Sequence, residues 1–122
     1  MAGCQHETIR ADAFDWLVDK SKQRFEMIVL DPPSLAKREP ERVAALRAYS
    51  RLVEGALSRL STNGVLIAAS CSAHVSADEF FGLARRFGAR VEVLKTTRHA
   101  ADHPANFPEA EYLKCMYLQL RR

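Results

Sequence analysis

The stretch Phe25-Glu26-Met27-Ile28-Val29-Leu30-Asp31-Pro32-Pro33-Ser34 decides how this chain is to be read. From Phe25 to Leu30 it is almost continuously apolar, the pattern of a strand covered on both faces of a parallel sheet. Asp31 then sets a carboxylate at the strand's carboxyl end, and Pro32-Pro33, which donate no backbone hydrogen bonds, stop it abruptly. A second run of the same kind, Val65 to Ala69, continues to about Ser70 and ends in Ser70-Cys71-Ser72. Between the two lies a helical pattern from near Pro40 to about Leu60. Leu46, Tyr49, Val53, Ala56, Leu57 and Leu60 share one face of it, and Asn63-Gly64 reads as its stop. A strand-helix-strand crossover is right-handed and makes its strands parallel neighbours. The carboxyl ends of strands 25–31 and 65–70 therefore open on one edge, roughly 5 Å apart in the pairing direction. In open α/β sheets that edge holds the ligand, and here it carries a carboxylate, Asp31, and a thiol, Cys71.

Upstream, Thr8 to Arg10 reads as the tail of a strand, and Asp12 as the cap of a helix whose Phe14, Leu17 and Val18 make a compact apolar face. Downstream, Ser76-Ala77-Asp78-Glu79 is a capping box, with Val75 and Phe80 placed as a hydrophobic staple. The helix it opens runs to Phe87 and ends at Gly88. The strand-like runs at 90–96 and 112–120 have no helix between them, so they are expected to be antiparallel. Their connection, Thr97 to Glu111, spans about fifteen residues and contains Pro104, Asn106 and Pro108, a length typical of an active-site loop.

With 122 residues and an apolar share of 48%, the chain fits one domain with a modest core. A formal charge of +3 is too small to establish a nucleic-acid partner. The three cysteines, Cys4, Cys71 and Cys115, form no C-x-x-C pair and leave one over if two were bridged, which favours a reduced, cytoplasmic setting. No apolar run approaches the ~20 residues of a transmembrane helix, and no leader is visible, so no membrane is expected as a partner. Four histidines without ligand spacing give no reason to expect a metal.

These motifs together resemble the carboxyl-terminal part of a class I S-adenosylmethionine-dependent methyltransferase, most closely the 23S ribosomal RNA cytosine-5 methyltransferases of the large subunit. The resemblance covers nearly the whole chain. It runs from the Asp12-Ala13-Phe14 segment through Asp31-Pro32-Pro33-Ser34 and the Ser70-Cys71-Ser72 turn. It continues through Ala101-Asp102-His103-Pro104 and Phe107-Pro108-Glu109 to Tyr112-Leu113-Lys114. Asp-Pro-Pro is widespread among methyltransferases acting on amino groups, whereas the Ser-Cys-Ser turn combined with the last segments is far more restrictive. The fold implied is a partial Rossmann-like sheet in which the final strand inserts next to 65–70. The family's glycine-rich cofactor loop and ribose carboxylate have no counterpart here, nor does its amino-terminal RNA-binding domain. The chain thus reads as a fragment or truncated product with part of an S-adenosylmethionine site.

The resemblance also implies residue roles. Carbon 5 of cytosine is a poor nucleophile, and the family's chemistry adds a cysteine thiolate to carbon 6 to make carbon 5 enamine-like. Cys71 matches that nucleophile, although a free cysteine is more often a small buried apolar residue. A free thiol, with a pKa of ~8.5, is mostly protonated at neutral pH, so the site must favour the thiolate. Asp31 matches the carboxylate facing the N3 and N4 edge of the base. The plainer reading of Asp31 is a strand-end acceptor for backbone N–H groups. Pro33 walls the base, and Ser34 stands where some relatives carry a second cysteine, so one-cysteine chemistry is expected.

Asp12 and Ala13, with Asp31 and Pro32, match the cofactor-binding segments; Asp12 either accepts from the adenine N6 amino group or is simply its helix's cap, and one residue can do both. Lys37, with Arg38 and Arg42, is placed to meet RNA phosphates or to be a solvated charge run. His103 belongs to the loop bordering the target base. The base that removes the carbon-5 proton is not identified. Two other readings remain open: methyl transfer to an exocyclic amine (guanine N2 or adenine N6 type), with Cys71 structural, and a non-catalytic interaction module. If the preceding β/α units are absent, the apolar edge at 25–31 seeks a partner, and a homodimer through that edge is expected.

Overall fold

The computed structural model describes residues 3–19, 23–98 and 112–121. Its strands are β1 (Phe25–Leu30), β2 (Leu60–Ser70), β3 (Val91–Arg98) and β4 (Lys114–Leu120). They form one sheet in the order β1-β2-β4-β3. β1 and β2 are parallel, with Met27 opposite Val65 and Leu30 opposite Ala68. β4 is antiparallel to both β2 and β3, so the last strand inserts beside β2 as expected.

The helices are α1 (Ala13–Leu17), α2 (Arg42–Ser58) and α3 (Ala77–Gly82), with 3₁₀ turns at Glu39–Glu41 and Leu83–Arg90. Alternation along the strands decides what they cover. Leu66, Ala68, Met116, Leu118 and Leu120 are buried on one face, together with Tyr49, Val53, Ala56 and Leu57 of α2 and Phe80, Leu83 and Phe87 beyond. The capping box forms: Ser76 Oγ accepts from Glu79 N at 3.0 Å, and Ser76 N donates to Glu79 Oε1 at 3.1 Å. Val75 and Phe80 are both buried. Asp12 caps α1 by accepting from Phe14 N at 2.8 Å and Asp15 N at 3.3 Å. α1 lies close on α2 because Gly55 has no Cβ; one built there would sit 3.0 Å from Leu17 Cβ.

The structure corrects several expectations. Thr8–Arg10 forms no strand, and Val18 is exposed rather than part of the packed face of α1. Asn63-Gly64 does not stop the helix, which ends at Ser58; it lies inside β2, where Phe25 pairs with Leu60 but Met27 with Val65. β2 thus carries extra residues against β1, a bulge. Asn63 takes them up at φ 67° and Gly64 by close approach, since a Cβ there would come within 2.8 Å of Ser61 O.

β1 is also not covered on both faces. Ile28 and Leu30 pack on the core, but Met27 and Val29 are 58% and 61% exposed, because no described element lies over that side of the sheet.

Candidate active site

Asp31-Pro32-Pro33-Ser34 and Ser70-Cys71-Ser72 lie at the carboxyl ends of neighbouring parallel strands, whose pairing runs to Leu30 opposite Ala68. Four buried or half-buried hydroxyls tie the two loops together. Ser70 Oγ donates to Tyr49 OH at 2.9 Å, Tyr49 OH lies 2.8 Å from Ser72 Oγ, and Ser72 Oγ lies 3.1 Å from Ser34 Oγ. Ser34 Oγ donates to Ala36 O at 3.1 Å, and Leu35 N donates to Ser72 Oγ at 3.1 Å.

A hydroxyl has one proton to give, so these contacts fix a direction. Ser34 spends its proton on Ala36 O, so Ser72 must donate to Ser34. Ser72 then accepts from Tyr49 as well as from Leu35 N, and Tyr49 accepts from Ser70. Ser70 and Ser72 are 1% and 0% exposed, whereas Cys71 between them stays half-exposed. The network therefore anchors the turn on both sides of the thiol without engaging it.

Lys114 closes the turn from β4. It pairs with Ser70 across the sheet, is 5% exposed, and its Nζ donates to Ser72 O at 3.0 Å and Tyr112 O at 2.8 Å. Burial pushes the amine below the ordinary lysine range, and the nearby Cys71 opposes that shift.

Asp31 is exposed, and among the described residues no backbone N–H donates to it, so the plain strand-end role has no bonds behind it. Pro32 is half-buried and Pro33 exposed. Asp12 and Ala13 are exposed at the start of α1, beside a hollow of about 270 Å³ lined by Glu7, Ile9, Ala11, Ala13 and Trp16. Lys37 is exposed, its backbone N–H held by Glu41 Oε1 at 2.9 Å together with that of Arg38. Arg42 is not free to meet a phosphate: it pairs with Glu39 at 3.3 Å and with Glu79, tying α2 to α3. His103 lies outside the described residues. Sequence reasoning gave no part to Tyr49 beyond a helix face, nor to Lys114 beyond a motif. A tyrosine one helix away from two serines, and a lysine inside an alternating apolar strand, were the available signals.

A four-stranded α/β sheet of this order, with these loops at its carboxyl edge, is the class I methyltransferase fold. It superposes with a TM-score of 0.69 on SMU.776 crystallised with SAH (24% identity, 90% of this chain and 30% of that one). It also superposes with a TM-score of 0.67 on NSun6 from Pyrococcus horikoshii solved with SFG (14% identity, 93% of this chain and 34% of that one). In sequence the chain is similar to the carboxyl-terminal part of the ribosomal RNA large subunit methyltransferases. It is 51% identical over 121 residues to the one from Deinococcus radiodurans, covering 94% of this chain. It is 34% identical over 116 residues to ribosomal RNA large subunit methyltransferase I of Escherichia coli, covering 88% of this chain. The chain spans 30% and 29% of the lengths of these two relatives. No family model matches it.

Proposed function

We propose that these residues are the nucleophile-bearing part of an S-adenosylmethionine-dependent enzyme that methylates carbon 5 of a cytosine in large-subunit ribosomal RNA. The observation that carries this reading is the half-exposed Cys71, fixed between two buried serines on the strand next to Asp31. Cys71 Sγ adds to carbon 6 of a cytosine turned out of its stack, while Asp31 orients the N3 and N4 edge and offsets charge developing on the ring. Carbon 5 then takes the methyl group; loss of its proton and expulsion of the thiolate restore the aromatic ring. Pro32 and Pro33 give the flat base a rigid wall, Ser34 holds the wall to the thiol's turn, and Lys37 and His103 border the RNA.

The cofactor supplies an electrophilic methyl on a sulfonium. The residues present fit its adenine side: the hollow beside Ala13 is small and partly apolar, and the exposed Asp12 has room for a further donor. The methionine side has no glycine-rich loop among these 122 residues, which supports reading them as the carboxyl-terminal portion of a catalytic domain. The setting proposed is the reducing cytoplasm, and the copy-to-copy partner is a homodimer through the edge of β1.

The test is an RNA carrying 5-fluorocytosine, incubated with S-adenosylmethionine and the protein bearing this sequence. Fluorine cannot leave as a proton does, so the covalent adduct accumulates. The expected result is an adduct mapped to Cys71 and absent in Cys71→Ala. Methyl transfer that persists in Cys71→Ala would replace this reading with transfer to an exocyclic amine.

A further inference from the structure

Among the described residues, Lys114 is a buried cation without a carboxylate partner. It is 5% exposed, and among the described residues no Asp or Glu lies within ion-pair distance of it. Two carbonyls, of Ser72 and Tyr112, accept from its amine, which has three N–H groups to give. Carbonyl dipoles satisfy hydrogen bonds but do not neutralise a charge, and burying an ammonium without a counter-charge is costly. The other described ionisable groups around the turn do not supply one. His74 sits 3.4 Å from Glu39, and Arg98 sits 3.9 Å from Asp78. Asp31 is exposed at the end of β1, one strand further across the sheet than β4, with β2 between them.

Among the described residues, what remains is the thiol. Lys114 bonds the carbonyl of Ser72, the residue directly after Cys71, and the nearby Cys71 opposes the effect of burial on the amine.

We propose that Lys114 is a positioning residue that holds the Cys71 turn by its two carbonyls and supplies the positive charge that keeps Cys71 in its ionised, nucleophilic form. The idea rests on the function proposed above for its purpose, but its geometry and its test do not. A thiolate beside a cation is favoured over the thiol, and the same ion pair removes the cost of leaving the ammonium alone. No proton needs to leave the pair: Cys71 releases its own to water, and Lys114 keeps all of its protons. Lys114 therefore acts as a fixed charge rather than as a base, which makes arginine an acceptable substitute in principle.

The purified chain is alkylated with iodoacetamide across a pH series, and modification at Cys71 is followed by peptide mass spectrometry, with the half-exposed Cys115 as an internal control. In Lys114→Met the rate at neutral pH should fall by about three- to tenfold. The thiolate fraction drops about tenfold for each pH unit of displacement, and the more basic thiolate regains part of that as nucleophilicity. The pH–rate profile of Cys71 should move to higher pH, that of Cys115 should stay in place, and Lys114→Arg should keep the wild-type profile. Superimposable Cys71 profiles in wild type and Lys114→Met overturn the proposal, as does a Lys114→Arg profile that follows Lys114→Met.

If Lys114→Met does not fold, Cys71→Ala serves instead. Linkage is reciprocal, so the Lys114 amine, followed by nitrogen-15 NMR, should lose its proton at lower pH in Cys71→Ala than in wild type. An unchanged titration rejects the pairing. These readouts involve neither RNA nor cofactor. An adduct at Cys71 with superimposable alkylation profiles would reject Lys114 alone, whereas shifted profiles without any adduct would reject only the methylation reading.

Discussion

Ser72 joins the two loops of the candidate site, since its hydroxyl accepts from Leu35 N and Tyr49 and gives its proton to Ser34. Removing that oxygen leaves the buried Tyr49 hydroxyl and the part-buried Leu35 N without their acceptor, a cost of about 1–3 kcal/mol. Ser72→Ala should therefore lower the unfolding free energy in urea by about that much, and Tyr49→Phe by somewhat less, because Leu35 N keeps its bond. Unchanged denaturation midpoints in both would mean that the hydroxyl chain does not hold the loops. At this scale the sequence marked Asp31 and Cys71, because a carboxylate and a thiol at apolar strand ends are conspicuous by type and place. Tyr49 and Lys114 were marked only weakly, as a helix-face position and a motif residue. A tyrosine at a core-facing helical position reads as apolar filling, and a lysine reads as exposed until the strand's burial pattern is known.

Among the elements, α3 depends most on one ionised side chain. Glu79 is held below the usual carboxylate range first by the Ser76 N–H it accepts from, with Arg42 of α2 adding to this and partial burial opposing it. The charged form is thus the one the fold favours. The stabilisation is complete above the unfolded value of 4.5 and is lost as pH falls through the lower folded value. Glu79→Ala should destabilise by about 1 kcal/mol at neutral pH, the scale of a helix cap. The gap between variant and wild type, measured by chemical denaturation, should close as the pH drops below 4.5; a gap of constant size would mean that the carboxylate's charge plays no part. This cap was legible because Ser76 and Glu79 carry it in their spacing. The junction of α2 and β2 was not: Asn63-Gly64 is a strong stop signal, yet the helix had already ended at Ser58 and the pair serves a bulge inside the strand. A left-handed residue and a glycine suit either place, and only pairing with β1 decides between them.

At the scale of the whole molecule, parallel pairing and the antiparallel return were readable and the strand order followed from the family resemblance, but which faces are covered was not, because an apolar strand looks alike whether its cover is present or missing. α2, α3 and the 3₁₀ turn at Leu83–Arg90 pack on the side of Leu66 and Met116. On the other side the register sets Met27 beside Val65, and Val29 beside Ile67 and then Tyr117. β1 is an outer strand, so one row of its backbone N–H and C=O groups has no partner among the described strands. The other outer strand, β3, carries Glu92, Lys95 and Arg98, charges of the kind that discourage pairing; β1 carries only Glu26. Two copies meeting β1 to β1 about a twofold axis would satisfy both edges with the same surface, and the exposed Met27 and Val29 would gain apolar neighbours. Expressed by itself, the 122-residue chain should therefore run as a dimer by size-exclusion chromatography with light scattering. Val29→Lys places a charge in the middle of the bare face, at a side chain 61% exposed and outside the core, so it should shift the population toward monomer while leaving the thermal midpoint of the monomer nearly unchanged. A wild-type chain that stays monomeric as its concentration is raised would show that the open edge of β1 does not recruit a second copy.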